Sequence, residues 1–188
     1  MSGAEPVGDP DGTTVAGRSR PDASADGRPD AATAAGAGSL IVRSSWAGTA
    51  LYVVVAALAT ARPGTFQVPL MAVCVLLFVA GFVAFAAAYV LALGRSRAEA
   101  IGMGGLYFLS GTAPRGVQRS LVGSFAVETL TAVVTASIGL AVIPADTDNL
   151  LAFGILTPLY GLGLAGLWGA RHGTFPPRAA APGRGGTA

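Results

Sequence analysis

The sequence predicts an all-α membrane protein, a bundle of four transmembrane helices with a disordered tail at each end. Three observations indicate this fold class. The chain of 188 residues is 52% hydrophobic and only 12% charged, whereas soluble domains carry about 25% charged residues. Its apolar residues are concentrated in runs that are long enough to cross about 30 Å of hydrocarbon as helices. Its terminal segments are rich in Gly, Pro, Ala and charged residues.

The first 39 residues predict a disordered cytoplasmic tail. They contain six acids against three arginines, and Val15 is the one sizeable apolar residue between Val7 and Leu40. Such a segment buries too little apolar surface to offset the entropy lost on ordering. No apolar run follows Met1, so we do not expect an N-terminal signal peptide.

Four apolar spans follow, at about 45–61, 68–94, 120–143 and 149–170, and they define a predicted transmembrane domain over residues 40–172. At 1.5 Å per residue the last three are long enough to cross a bilayer. The first span crosses only if its helix begins near Leu40 or if the bilayer thins there. An alternative is that the first span is a late signal sequence, because "ALATA" (57–61) resembles a small-residue cleavage site.

The arginines predict the orientation. With a cytoplasmic N-terminus, only Arg62 flanks a span on the outer side, and the inner side has Arg43, Arg95, Arg97, Arg115, Arg119, Arg171 and Arg178. Basic residues favour the cytoplasmic side, and tryptophan favours the membrane interface, where Trp46 and Trp168 then lie. We therefore expect a multi-pass protein of the cytoplasmic (inner) membrane with both termini cytoplasmic.

The sequence predicts different structures for the two remaining cytoplasmic segments, the loop between the second and third spans and the C-terminal tail. The loop over about 95–119 contains "AIGMGGLYFLSGTA", which is too short to cross and suits an interfacial or re-entrant piece. Pro114 is suited to the first turn of the third long helix. Pro176 and Pro177 end any helix, so residues 173–188 predict a second disordered cytoplasmic tail.

The third span contains an acid, Glu128, in the inner half of the bilayer by helical rise. A polar stripe surrounds it at helical spacing, formed by Ser124, Glu128, Thr131 and Thr135. An acid within a membrane is costly, so the stripe should face the bundle and not lipid. By depth we expect Tyr52, Tyr89 or Tyr160 to donate a hydrogen bond to the carboxyl group.

Two interpretations of Glu128 stay open. In one, the carboxyl group binds a proton or cation and couples it to transport, with Tyr160 and Pro158 shaping the path. In the other, it hydrogen-bonds between helices and specifies their packing. Pro158 predicts a kink in the fourth span. Small-residue stripes on two spans predict close helix packing or dimerisation, at Ala80, Ala84 and Ala88 and at Gly161, Ala165 and Gly169.

Other functional classes find little support in the sequence. The single cysteine, Cys74, allows no internal disulfide and no thiolate metal cluster. The single histidine, His172, has no neighbouring metal ligand, and "GMGG" (102–105) lacks the remainder of a phosphate-binding loop. No Ser-His-Asp or Cys-His set can be assembled, so we expect no enzymatic activity and no cofactor or metal. A net charge of +2 favours no nucleic-acid partner.

The lysine-free, Ala- and Arg-rich spans and the tail "LWGARHGTFPPR" resemble small four-span membrane proteins of high-GC Gram-positive bacteria whose function is unknown. The resemblance covers about 40–178 and implies no activity. Small multidrug-resistance exporters also have four helices and a membrane glutamate, but theirs lies in the first helix. The expected partners are the lipid bilayer and either further copies of the chain or a larger membrane complex. We expect a packing or accessory subunit, and the alternative is a small proton-coupled transporter or channel.

Overall fold

The computed structural model describes residues 31–144 and 148–178, so the predicted disorder over 1–30 and 179–188 lies outside the described residues. In chain order the elements are α1 (Ala31–Ala61), α2 (Pro63–Arg95), the one-turn α3 (Met103–Tyr107), α4 (Arg115–Val142), a 3-10 segment (Leu150–Leu156) and α5 (Pro158–His172). Four helical stretches are long and apolar enough to cross a membrane: Gly38–Ala61, Gly64–Arg95, Arg115–Val142 and Leu150–His172. The described residues form no β-strand, so the predicted all-α bundle of four spans is confirmed.

The first helix begins earlier than the sequence analysis placed it. Residues 31–39, assigned to the disordered tail, are the first part of α1. Their stretch "AATAAGAGS" is rich in alanine, the best helix former, and a helix that is already nucleated extends at low cost. The candidate span Gly38–Ala61 therefore has 24 residues, which is long enough to cross without thinning of the bilayer.

The fourth span is broken at Pro158, where a kink was predicted. The 3-10 segment ends just before this residue, and α5 starts at it. Proline has no N–H to donate, and its fixed φ suits the first position of a new helix. Around the break, the Thr157 N–H donates to the Gly154 carbonyl at 3.0 Å and the Tyr160 N–H donates to the Thr157 carbonyl at 2.8 Å. The fourth span therefore contains the beginning of a helix inside the bundle.

Helices α2 and α5 pack backbone to backbone through glycines. A Cβ atom added to Gly81 would lie 2.5 Å from the backbone N and Cα of Tyr160. A Cβ atom added to Gly163 would collide with the Gly81 carbonyl oxygen. Most of the predicted small-residue stripes are also buried inside the bundle, at Ala84, Ala88, Gly161, Ala165 and Gly169, while Ala80 is exposed. Small residues thus let these helices approach within one chain.

The structure describes the chain after α5 as far as residue 178, and residues 173–178, which the sequence analysis places in the second tail, make backbone hydrogen bonds to the rest of the chain. The Ala100 N–H donates to the Pro176 carbonyl at 2.9 Å, and the Arg178 N–H donates to the Ala98 carbonyl at 3.0 Å. Arg95 fixes the start of this segment by donating to the Gly173 carbonyl at 3.0 Å. Backbone pairing satisfies these polar groups although the segment is rich in proline.

The apolar stretch between α2 and α4 does not cross the bundle. It forms α3, and the Tyr107 ring stacks on Phe85 of α2 with centroids 4.5 Å apart. Leu106 and Leu109 are buried, and both approach Gly169 of α5. The stretch therefore covers one end of α5. We call this end of the bundle, where α1 and α4 begin and α2 and α5 finish, the arginine-rich end, after Arg43, Arg95, Arg115, Arg119 and Arg171.

The glycine contact between α2 and α5 yields a stability prediction. Gly81→Ala should destabilise the protein by about 1 to 3 kcal/mol, because the new methyl group meets the α5 backbone, which cannot move aside cheaply. The matched control is Gly94→Ala in the same helix, where an added Cβ atom meets nothing within 4 Å. Denaturation of both variants in detergent, followed by circular dichroism, measures the difference. Equal stability of the two variants would contradict this packing.

Candidate functional site: a buried carboxyl group between three helices

Glu128 lies in the interior of the bundle, on the face of α4 that the helical spacing indicated. Its exposed fraction is 0%. Of the residues that share its stripe, Ser124 and Thr135 are buried and Thr131 is half-buried. The burial of this stripe between helices means that its polar atoms need partners within the protein, since lipid offers none.

Both oxygens of the Glu128 carboxyl group have a hydrogen-bond partner, each on a different helix. Oε1 lies 2.7 Å from Oγ1 of Thr49 on α1. Oε2 accepts a hydrogen bond of 3.0 Å from the backbone N–H of Gly161 on α5. A single side chain of α4 thus connects three of the four spans.

The break at Pro158 explains why the Gly161 N–H points toward an acid. Gly161 lies in the first turn of α5, where N–H groups have few intrahelical acceptors. The helix dipole places partial positive charge at this end and favours a carboxylate there. An unbroken fourth helix would present no such N-terminus in the bundle interior. The sequence analysis identified the break and the acid separately, and the structure brings them together.

Glycine is required at position 161 for this contact. An added Cβ atom would lie 2.7 Å from Oε2 of Glu128 and 3.0 Å from Cα of Phe125. Contacts this short force the neighbouring atoms to move, and Phe125 contributes backbone. The absence of a side chain at Gly161 therefore lets α4 and α5 approach until the backbone N–H reaches the carboxyl oxygen.

The Thr49 hydroxyl can bond Glu128 in either protonation state. Oγ1 of Thr49 lies 2.9 Å from the Ser45 carbonyl as well as 2.7 Å from Oε1 of Glu128. The hydroxyl has one proton to donate and lone pairs to accept with. With a charged Glu128, Thr49 donates to the carboxylate. With a neutral Glu128, the acid donates to Thr49, which then donates to the Ser45 carbonyl. The heavy atoms keep their positions in both arrangements.

A second polar pair lies one helical turn nearer the arginine-rich end. The hydroxyl oxygens of Ser45 on α1 and Ser124 on α4 are 2.6 Å apart, and both residues are fully buried. Ser124 Oγ also lies 2.9 Å from the Leu121 carbonyl of its own helix. Helices α1 and α4 are therefore joined by polar contacts at two successive turns.

A third polar cluster lies on the other side of Glu128, around the 3-10 segment. Tyr52 and Thr135 meet near Gly154, where an added Cβ atom would collide with the Tyr52 hydroxyl and lie 3.2 Å from Oγ1 of Thr135. Thr157 lies close to the same Tyr52 hydroxyl. The hydroxyl oxygens of Tyr52 and Thr157 are buried, and the Tyr52 hydroxyl lies close to Thr135 and Thr157 without a hydrogen bond of good geometry to either. Unpaired buried hydroxyls are uncommon in proteins.

The expectation that a tyrosine donates to Glu128 is wrong. Tyr160 donates to the Ser44 carbonyl at 2.8 Å, the Tyr52 hydroxyl faces Thr135 and Thr157, and Tyr89 is 46% exposed. The actual donors are a threonine and a backbone amide. One signal for Thr49 was in the sequence: Ser45 and Thr49 are spaced by four residues on α1, as Ser124 and Glu128 are on α4.

Acidic, histidine and cysteine side chains do not cluster elsewhere in the described chain. Within residues 31–144 and 148–178, no group of three such side chains could hold a metal ion. The ion pair in this part of the chain joins Arg95 to Glu99 at 2.9 Å, so Glu128 has no basic partner there. Cys74 is a free, buried thiol. Glu128 and its hydroxyl neighbours are therefore the candidate site.

Comparison with known protein families, curated proteins and solved structures gives no match to this chain. The resemblance to small four-span bacterial membrane proteins stays a prediction.

Proposed function

We propose that this chain is a non-enzymatic integral membrane protein in which Glu128 holds three helices together, and that the bundle is an accessory subunit of a larger membrane assembly. One observation carries the packing role: both oxygens of a fully buried carboxyl group are hydrogen-bonded, one to α1 and the other to α5. Such bonds between membrane helices contribute about 0.6 to 2 kcal/mol each. Glu128 itself lines none of four clefts on the described surface, although Thr131 and Thr135 of its stripe line one of them.

The surroundings of the single histidine support a non-enzymatic role. Nε2 of His172 is buried and has no hydrogen-bond partner, and the imidazole ring packs against Trp168 with centroids 5.4 Å apart. A general base must lie within hydrogen-bond reach of the group that it activates. Nε2 of His172 therefore bonds no nucleophile of the described residues.

The arginine-rich end supports the accessory role. Residues 98–100 pair with residues 176–178, and Arg95 fastens this pairing through Ala170, Gly173 and Glu99. The result is a fixed polar surface at one end of the bundle, on which Arg97 is exposed and the exposed Arg178 donates to the Ser96 carbonyl at 2.8 Å. A rigid basic surface of this kind suits an acidic partner protein or a second copy of the chain.

We infer that the protein lies in the inner membrane of a bacterium with its arginine-rich end on the cytoplasmic side, because basic residues that flank spans favour that side. The packing of α1 supports its retention as a span and not as a cleaved signal, since Tyr52, Ala56 and Ala59 are buried against α2 and the 3-10 segment.

Cysteine labelling in intact cells tests the orientation. Cys74 is fully buried, so the unaltered chain should give little background with a membrane-impermeant maleimide. Thr65→Cys, an exposed position at the opposite end, should be labelled in intact cells. Ala98→Cys, exposed at the arginine-rich end, should be labelled only after the cells are permeabilised. The reverse pattern would overturn the inferred orientation.

Proton-coupled transport is the second candidate function, and two features favour it. The Thr49 hydroxyl can accept a hydrogen bond from a protonated Glu128 or donate one to the carboxylate without moving, so Glu128 can gain or lose a proton while the contact is kept. The buried hydroxyls of Tyr52 and Thr157 lie on the far side of Glu128 from the Ser45–Ser124 pair. Polar groups would then line a route through the bundle in both directions from the acid.

Substitution of Glu128 separates the two functions. Glutamine can accept from the Gly161 N–H and donate to Thr49, so Glu128→Gln should change the free energy of unfolding by less than about 0.5 kcal/mol. Glu128→Leu leaves the Gly161 N–H unpaired and should destabilise the protein by about 1 to 3 kcal/mol. The free energies are measured by denaturation in detergent.

The same variants are then reconstituted into vesicles that contain a pH-sensitive dye. The packing proposal expects equal, background proton flux for the unaltered chain and for Glu128→Gln. A proton flux in the unaltered chain that Glu128→Gln abolishes, while the variant stays folded, would establish transport and overturn the packing proposal.

A further inference from the structure

A cleft of about 740 Å³ opens at the arginine-rich end, between residues 38–43 of α1, the first turns of α4 and the last turn of α5. Its volume lies within the range of about 300 to 1,000 Å³ that is typical of ligand sites. It is separate from the Glu128 junction, which contributes no residue to its lining. The residues that matter for its chemistry are Val42, Arg43, Gly116, Val117, Trp168 and His172.

One part of the cleft is apolar and the other is cationic. Val42, Val117 and Trp168 pack in one hydrophobic cluster with Leu121 and Ile41, and they form the apolar wall. Arg43 is exposed and makes no ion pair with an acid of the described chain. Nε2 of His172, buried beside Gly38, has no hydrogen-bond partner. The exposed Arg43 therefore borders an apolar surface.

The charge around the cleft selects an anion. Arg115 and Arg119 lie beside the lining residues on α4, and Arg171 lies beside them on α5. The acid of the described chain at this end is Glu99, whose carboxylate is paired with Arg95 at 2.9 Å. Basic groups between membrane helices attract anionic lipid headgroups, and arginine forms strong charge-assisted bonds to phosphate oxygens.

We propose that this cleft binds one anionic phospholipid from the leaflet at the arginine-rich end, with the phosphate on Arg43 and an acyl chain along Val42, Val117 and Trp168. A free phosphate ion would use the cations and leave the apolar wall unoccupied. An uncharged or zwitterionic lipid would contact the apolar wall and leave the positive charge of the arginines around the cleft unbalanced. The anionic phospholipid is the membrane component that matches both parts of the cleft.

Native mass spectrometry of the full chain in neutral detergent tests this site. The probes are phosphatidylglycerol, phosphatidylcholine with the same acyl chains, and inorganic phosphate. We expect phosphatidylglycerol to bind at least tenfold more tightly than phosphatidylcholine, and inorganic phosphate at equal concentration not to displace it. Equal binding of the two lipids, or full displacement by inorganic phosphate, would overturn the proposal.

Two substitutions locate the binding in the cleft. Arg43→Gln should weaken phosphatidylglycerol binding at least fivefold. Arg97→Gln removes the same charge at the same end of the chain but outside the cleft lining, so it should change binding less than twofold. Equal losses of phosphatidylglycerol binding in these two variants would show that binding depends on the net positive charge of this end and not on the cleft, and would overturn the site.

A third variant tests the space and leaves the charge unchanged. An added Cβ atom at Gly116 meets nothing within 4 Å, so Gly116→Phe can fill the cleft without a clash at its base. It should abolish the preferential binding of phosphatidylglycerol, while Gly94→Phe, which is exposed on α2 with the same free space, should retain it. Retained binding in a folded Gly116→Phe variant would contradict the proposal even if Arg43→Gln failed to fold.

Discussion

The rest of the bundle depends on the two hydrogen bonds of one buried carboxyl group. A glutamate in a membrane span is costly unless its oxygens find donors. Glu128 finds them on Thr49 of α1 and on the backbone of Gly161 in α5. This requirement fixes the rotation of α4 and sets its depth against both neighbours. The Ser45–Ser124 contact one turn away reinforces the same alignment of α1 and α4.

The broken fourth span and the glycines serve this junction. Pro158 ends the 3-10 segment and starts α5 inside the bundle, so the positive end of a helix dipole meets the acid. Gly161 permits the close approach of α4, while Gly81 and Gly163 bring α2 onto the other side of α5. Features that look independent in the sequence, namely an acid, a proline and three glycines, form one packing arrangement.

The sequence predicts the spans and the inward face of Glu128 because hydrophobic run length and helical periodicity are local properties. It does not predict the partners of Glu128, because those depend on which helices are neighbours. Depth in the membrane indicates the tyrosines as donors to Glu128, whereas the actual donors, Thr49 and the backbone of Gly161, are the groups that the packing of α1 and α5 brings next to it. The sequence does not predict the backbone pairing of residues 173–178 for the same reason, since their partners at 98–100 are remote in sequence.

A double-mutant cycle between Thr49 and Glu128 tests the central claim most directly. Free energies of unfolding are measured for Thr49→Val, Glu128→Leu and the double variant. In a parallel control cycle, Thr60→Val replaces Thr49→Val. Thr60 suits the control because its hydroxyl donates to the Ala56 carbonyl of its own helix. We predict a coupling of about 1 kcal/mol for the Thr49 cycle and none for the Thr60 cycle. Additive effects in both cycles would contradict the account, because Glu128 and Thr49 would then not stabilise each other.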